Sequence, residues 1–209
     1  MPAAKALTPL WVRAIVAAVL VGAPLWGLVA HRDRVGNQKR LGAIASQIAG
    51  RPVTVHCPGA LRRLVPWDTN QGSVRFDATG RPADEARLQT APCRELDALA
   101  EGRRAGALAC VVAGEVCGAH GDDLAMAVDV LAHESWHLAG ISDEALTECR
   151  ALQTMAWTAG QLGVAPAAAQ ALAEHEYRWG YDLLPERYRS HLCADGGEWD
   201  VRPQDPVWP

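Results

Sequence analysis

The chain has 209 residues, of which 49% are hydrophobic and 21% are charged, and its formal net charge at pH 7 is −4. This length fits a single domain, or one domain with an added anchor segment. The apolar content is too high for a disordered chain, and the acidic balance disfavours a nucleic-acid-binding protein.

The first predicted element is an uncharged segment near the N-terminus. Seventeen residues from Ala14 to Ala30 carry no charge and follow Lys5 and Arg13. At ~1.5 Å per residue, this run is about long enough to cross a bilayer. We therefore expect residues 1–30 to be a signal anchor or transmembrane segment. The alternative, a cleaved signal peptide, is disfavoured by the large Leu28 before the candidate cleavage point.

Either interpretation of this segment places the remaining chain outside the cytoplasm. The anchor predicts a single-pass protein of the cell membrane, with the membrane as a partner, whereas cleavage predicts a secreted protein. Residues 31–50 have a weak helical period and are predicted to be a juxtamembrane helix or linker. Residues 51–209 are predicted to form the main folded domain.

Six cysteines lie in the exported part, which is typical of a disulfide-bonded domain. None of them has the CxxC spacing of thiolate zinc clusters and redox motifs. Cys110 and Cys117 bracket a short stretch that a local bridge can close. Six cysteines allow fifteen pairings, and the sequence does not decide among them. A sequential set would add two further bridges, Cys57–Cys93 and Cys149–Cys193.

The order of the remaining elements predicts an α+β fold. Short strands are expected over residues 53–57, 72–77 and 106–112, with a helix over 93–101. From Asp122 to about Arg189 the pattern is helical. This order predicts a small mixed sheet packed on a helix, followed by a helical C-terminal block.

The motif that carries chemistry is His133-Glu134-Ser135-Trp136-His137, a match to H-E-x-x-H. On a helix, residues four apart lie on one face, so both imidazoles can reach a single cation. Glu134 lies close enough to take a proton from water held by that cation without binding the cation itself.

The surrounding residues predict that the motif lies on an amphipathic helix of about 16 residues. Asp122 and Asp123 are expected to cap its N-terminus, and Gly140 is expected to end it. A largely apolar stripe is expected on the face opposite the histidines, formed by Leu124, Val128, Leu131, Ser135 and Leu138.

Over roughly residues 122–160, the chain resembles the gluzincin class of zinc metallopeptidases. In that class the next helix carries a ligand Glu, followed four positions later by an acidic residue that hydrogen-bonds a ligand histidine. The resemblance implies that Glu144 is the third zinc ligand and that Glu148 orients an imidazole. It also implies a zincin-like fold with Zn²⁺ as the cofactor.

Two alternatives for the third ligand remain open. The string HESWHLAGISD also resembles the metzincin spacing, with Asp143 at the position of the third histidine. That class expects a Met-turn downstream, and Met155 lies within a predicted helix, which disfavours it. Glu148 itself is the other alternative ligand, and acidic residues in a first helical turn can also simply stabilise the helix dipole.

Further candidates are less specific. Four downstream residues are candidates for an oxyanion donor, although a packing or surface role is expected for each of them: Tyr177, Tyr181, His175 and His191. The resemblance also implies a strand edge that aligns an extended peptide, and residues 107–112 are the predicted strand for this role.

The sequence therefore predicts an exported zinc metallopeptidase in which His133, His137 and Glu144 bind the metal and Glu134 activates water. Its partner would be a peptide or protein substrate, and peptide of the cell wall is an alternative substrate. The rival hypotheses are a catalytically silent zinc-binding module and a disulfide-stapled interaction domain without metal.

Overall fold

The computed structural model describes residues 36–58, 71–205 and 207–209. Its Cα positions group into two units, Met1–Asn37 and Gln38–Pro209. The described chain combines a three-stranded sheet with six α-helices, so the predicted α+β class is confirmed.

The sheet is small and mixed. Its strands are β1 (Thr54–His56), β2 (Gly72–Phe76) and β3 (Pro82–Leu88), arranged in the order β1-β3-β2. β1 runs parallel to β3, and β2 runs antiparallel to it. The Asp77 carboxylate accepts hydrogen bonds from the backbone N–H groups of Thr79 and Arg81, which closes the turn between β2 and β3.

The six helices follow one another along most of the described chain. They are α1 (36–49), α2 (Thr90–Ala100), α3 (Ala105–Val112), α4 (Gly118–Leu138), α5 (Glu144–Gln161) and α6 (Pro166–His175). A π-helical turn and two 3₁₀ turns come next, at Glu176–Gly180, Tyr181–Leu183 and Glu186–Tyr188.

Helix α4 lies at the centre of the core. It packs against α2, α3, α5, α6, β2 and β3. The predicted stripe on this helix is buried along its whole length, from Leu124 to Leu138. Leu41 and Ile44, which belong to the predicted linker over 31–50, also lie in this core.

The prediction of a strand over residues 106–112 is wrong, because these residues belong to helix α3. A short apolar run fits either a buried strand or a helix, and its hydrophobicity does not distinguish them. In the helix only Val111 is buried, while Val112 is 52% exposed. Strand β2 is an edge strand of the described sheet, because it pairs only with β3, and it packs against α4.

Helix α4 begins earlier than predicted. It starts at Gly118 after Cys117 and has 21 residues, so Asp122 and Asp123 lie inside the helix instead of capping it. The Cys110–Cys117 bridge joins the end of α3 to this start.

Three disulfides join the cysteines in the predicted sequential set, Cys57–Cys93, Cys110–Cys117 and Cys149–Cys193. Their Cα–Cα distances of 5.9, 5.7 and 5.5 Å lie within the usual range for disulfides. The third bridge ties α5 to the C-terminal segment, across a sequence separation of 44 residues.

The predicted single-pass membrane localisation has to be corrected. None of the helices in the described ranges is long and apolar enough to cross a membrane. The segment 1–30, on which the prediction rested, lies outside the described residues.

Removing the bridge with the longest separation should destabilise the protein most. Loop-closure entropy predicts a loss of about 4 kcal/mol for the pair Cys149→Ala with Cys193→Ala, against about 2.5 kcal/mol for Cys110→Ala with Cys117→Ala. Urea unfolding monitored by circular dichroism measures both losses. An equal or smaller loss for the first pair would contradict this order.

Candidate metal centre

The H-E-x-x-H motif lies at the end of α4, where the chain turns back into α5. Gly140 in this elbow has φ 105°, a conformation that strongly favours glycine. The Asp143 side chain accepts a hydrogen bond from Leu146 N at 2.8 Å and so caps α5. The elbow therefore places Glu144, the first residue of α5, beside the last turns of α4.

Three side chains converge at this elbow. His133 Nε2 lies 3.0 Å from His137 Nε2 and 3.1 Å from Glu144 Oε2, and His137 Nε2 lies 3.2 Å from the same carboxylate oxygen. Ligands of a tetrahedral zinc ion at 2.0–2.1 Å are separated from one another by about 3.3 Å. Within the described part of the chain, this is the group with the spacing to hold a metal ion.

The outer nitrogens of both imidazoles are occupied. His137 Nδ1 lies 2.7 Å from the Ile141 carbonyl oxygen, and His133 Nδ1 lies 2.8 Å from Glu148 Oε2. A carbonyl or carboxylate oxygen accepts, so each Nδ1 is the donor. In its neutral form each imidazole then keeps a lone pair on Nε2 that is directed at the other members of the group.

The acidic residues near the histidines have separate positions. Glu144 joins the group and Glu148 contacts the far side of His133. Asp143, the alternative ligand, is exposed and its side chain caps α5. The structure therefore brings Glu144 to the two histidines and does not bring Asp143 there.

Glu134 is buried between α4 and the sheet. A Cβ at Gly72 of β2 would come within 2.5 Å of Glu134 Oε1, so only glycine leaves room for this carboxyl group. Glu134 Oε2 has no hydrogen-bond partner among the described residues. Burial raises the pKa of Glu134 to about 7, against the opposing effect of His133. A carboxyl group in this state can accept a proton near neutral pH.

Two aromatic residues that the sequence analysis missed border the group. The Phe76 ring of β2 stands edge-on to His137, with centroids 5.8 Å apart, and the Tyr188 ring lies 5.7 Å from His133. The opening therefore lies between β2 and the turn Glu186–Tyr188. No local pattern marks Tyr188, because it comes 51 positions after His137 and sits in a single 3₁₀ turn.

The four candidate oxyanion donors make other contacts. Tyr177 stacks on Tyr181, with centroids 5.6 Å apart, and the Tyr181 hydroxyl accepts a hydrogen bond from Ser190 N. His175 Nε2 lies 2.8 Å from Asp122 Oδ1, and His191 is exposed. The structure brings none of the four to the histidine group.

A set of buried carboxyl groups lies on the far side of His133. Asp129 and Glu176 are each 6% exposed, and Glu148 is 2% exposed. Asp129 Oδ1 and Glu148 Oε1 have no hydrogen-bond partner in the described chain. Burial, reinforced by the negative charge of Glu148, raises the pKa of Asp129 well above its usual value and that of Glu176 to about 8.

The sequence analysis did not foresee these groups. Acidic residues on a helix are solvated far more often than buried, so the sequence favours a solvated Asp129 over one that contacts His133. The one available signal was spacing, because Asp129 lies one helical turn before His133 and therefore on the same face.

Comparison of the chain with protein-family models, with curated proteins and with solved structures finds no match.

Stability should fall with rising pH because of Glu176. Its pKa is about 8 in the folded protein and about 4.5 when unfolded, so the folded state binds more protons between these values. Between pH 5 and 8 this group should remove stability on the order of a few kcal/mol. Urea unfolding at several pH values, in the presence of a metal chelator, measures how the free energy of unfolding depends on pH.

Glu176→Gln removes the titrating group and should flatten this dependence, whereas the exposed Glu198→Gln should leave the slope unchanged. Identical slopes for wild type and Glu176→Gln would show that Glu176 is ionised in the folded protein.

Proposed function

We propose that this chain is a zinc-dependent metallopeptidase with a zincin-like fold. The observation that carries the proposal is the convergence of His133, His137 and Glu144 next to a buried carboxyl group, Glu134, that lacks a partner for one oxygen. Two imidazoles and one carboxylate form a ligand set that catalytic zinc sites use. Such a set leaves the fourth ligand position for water or substrate.

The donor atoms fit zinc in three respects. Their mutual separations of 3.0–3.2 Å are close to those in a tetrahedral site. In the neutral imidazoles both Nε2 lone pairs are available, because each Nδ1 donates a proton to an oxygen. Glu148 holds His133 as carboxylates hold ligand histidines in zinc proteins. Zinc bound here would act as a Lewis acid and activate water towards a peptide carbonyl.

Glu134 would serve as the general base. Its burial against Gly72 keeps the carboxyl group out of bulk water, and its pKa of about 7 suits proton transfer near neutral pH. The neighbouring β2 is an edge strand of the described sheet. An extended peptide paired with this edge would pass the histidine group. In this proposal β2 takes the peptide-aligning role that the sequence analysis expected of residues 107–112.

The zincin-like fold is part of the same proposal. It is supported by the small sheet packed on α4, by the elbow into α5 and by Glu148 four positions after Glu144. The three disulfides support folding in an oxidising compartment.

The substitution Glu134→Gln tests the general base. The amide cannot accept a proton, so peptide hydrolysis should fall to background while one zinc per chain stays bound. Cleavage of a fluorogenic peptide library and metal analysis by mass spectrometry give the two readouts. Full activity in the variant would exclude this role, and zinc without hydrolysis in the wild type would favour the catalytically silent module.

The substitution Glu144→Ala tests the third ligand, with Asp143→Ala as its neighbour and control. Loss of the Glu144 carboxylate should weaken zinc binding by at least about ten-fold, because removing a residue that only hydrogen-bonds a metal ligand already has an effect of this size. Asp143→Ala should leave zinc affinity unchanged and cost about 1 kcal/mol of stability through the lost helix cap. Competition with a chromogenic chelator measures affinity, and the reverse result would make Asp143 the ligand.

A further inference from the structure

The turn Glu186–Tyr188 forms one wall of the opening to the histidine group. It packs against α5, which begins with Glu144, and it places the Tyr188 ring 5.7 Å from the His133 ring. The opposite wall is β2, through Phe76. A peptide that runs along β2 past the histidines would therefore meet the residues of this turn.

Arg187 is held on the face of this wall. Its guanidinium carbon lies 4.7 Å from the centroid of the Tyr188 ring, and Nη2 lies 3.4 Å from the Tyr188 hydroxyl. Stacking on an aromatic ring stabilises an arginine and restricts its motion. The two ring contacts together place the guanidinium carbon within about 10 Å of the His133 ring centroid.

Arg187 has no acidic partner in the described ranges 36–58, 71–205 and 207–209. Of the twelve other arginines in these ranges, five likewise show no ion pair and seven pair with carboxylates, namely Arg51, Arg75, Arg87, Arg94, Arg103, Arg104 and Arg202. The Tyr188 hydroxyl raises the pKa of the Arg187 guanidinium, and the negative charge of Glu144 adds to this rise. A cation bound by Glu144 would neutralise that charge and leave Arg187 uncompensated.

We propose that Arg187 is a specificity-determining residue that binds a carboxylate of the peptide substrate beside the metal centre. This inference rests on the proposed peptidase function. A guanidinium presents paired N–H donors that match a carboxylate, and its stacking on Tyr188 fixes their direction before binding. The substrates would be acidic peptides.

The position of Arg187 limits where the carboxylate lies. An extended peptide advances by about 3.3 Å per residue, so the upper limit of about 10 Å corresponds to at most three residues. Two sources can supply the group: the side chain of Asp or Glu within three residues of the cleaved bond, or a C-terminal carboxylate at the same distance.

Charge exchange tests the proposal. A peptide cleaved by the wild type is prepared with Glu, Gln or Lys at each position within three residues of the cleaved bond, and with a free or amidated C-terminus. At one position or at the terminus, the wild type should favour the carboxylate over Lys or amide by about five-fold in kcat/KM. Arg187→Glu should reverse this preference, and Arg187→Gln should abolish it.

Lys39→Glu is the matched control, because it makes the same change in net charge. Lys39 is exposed and adjoins Arg40, which hydrogen-bonds Gln161 O at the far end of α5, about 25 Å from Glu144. This variant should keep the wild-type preference. The preference should also shrink at 1 M salt, because an exposed charge pair is screened there.

Binding provides a second readout that does not depend on hydrolysis. In the Glu134→Gln background, fluorescence anisotropy of the labelled peptides should show the same preference, and Arg187→Glu should reverse it. If the preference depends on an internal Glu, the carboxylate bound by Arg187 is a side chain of the peptide. If the preference is lost only when the C-terminus is amidated, the bound group is the C-terminal carboxylate. If Arg187→Glu matches Lys39→Glu in both cleavage and binding, the inference is overturned.

The two proposals fail in different ways. Cleavage by the wild type with no charge preference at any position would retain the peptidase function and reject the role of Arg187. If the wild type cleaves nothing, anisotropy is measured instead with labelled peptides of one arbitrary sequence that carry Glu, Gln or Lys at each position and a free or amidated C-terminus. An Arg187-dependent preference for acidic peptides would then support the carboxylate site and reject the peptidase.

Discussion

The return of α5 against α4 is the constraint on which the candidate site depends. Two histidines one turn apart on α4 offer two nitrogens, and the third donor has to come from another element. The five-residue elbow supplies it, because Gly140 ends α4 and the Asp143 side chain starts α5. The buried faces of both helices and the hydrogen bond from Trp136 to Thr154 hold the pair together. Glu144 is therefore placed by the packing of two helices.

This placement carries an energetic cost. The end of α4 buries two imidazoles and Glu134, and Asp129 and Glu148 keep carboxyl oxygens without a hydrogen-bond partner in the described chain. Buried polar groups of this kind destabilise a fold unless they are paired or neutralised. The apolar core around α4 and three disulfides offset the cost. Concentration of such groups at one place is typical of a functional site, where local rules of folding are broken.

Predictions from the sequence succeeded where local geometry decides the outcome. The helical positions of the histidines and the end of α4 near Gly140 follow from rules that act within a few residues. Predictions that needed distant contacts were weaker. Residues 106–112 form a helix although their apolar run fits a strand equally well, and β3 was not predicted because only two of its residues are buried.

The sequence by itself determined the spacing of His133 and His137, since a helix of 3.6 residues per turn leaves no other arrangement for positions four apart. The disulfide pairing was suggested by order along the chain and is confirmed. Only the tertiary structure decided which carboxylate approaches the histidines, that Gly72 makes room for Glu134, and that the Tyr188 ring, with Arg187 stacked on it, lies beside His133. Those contacts join residues far apart in sequence, and their positions depend on the packing of the whole core instead of on any local period.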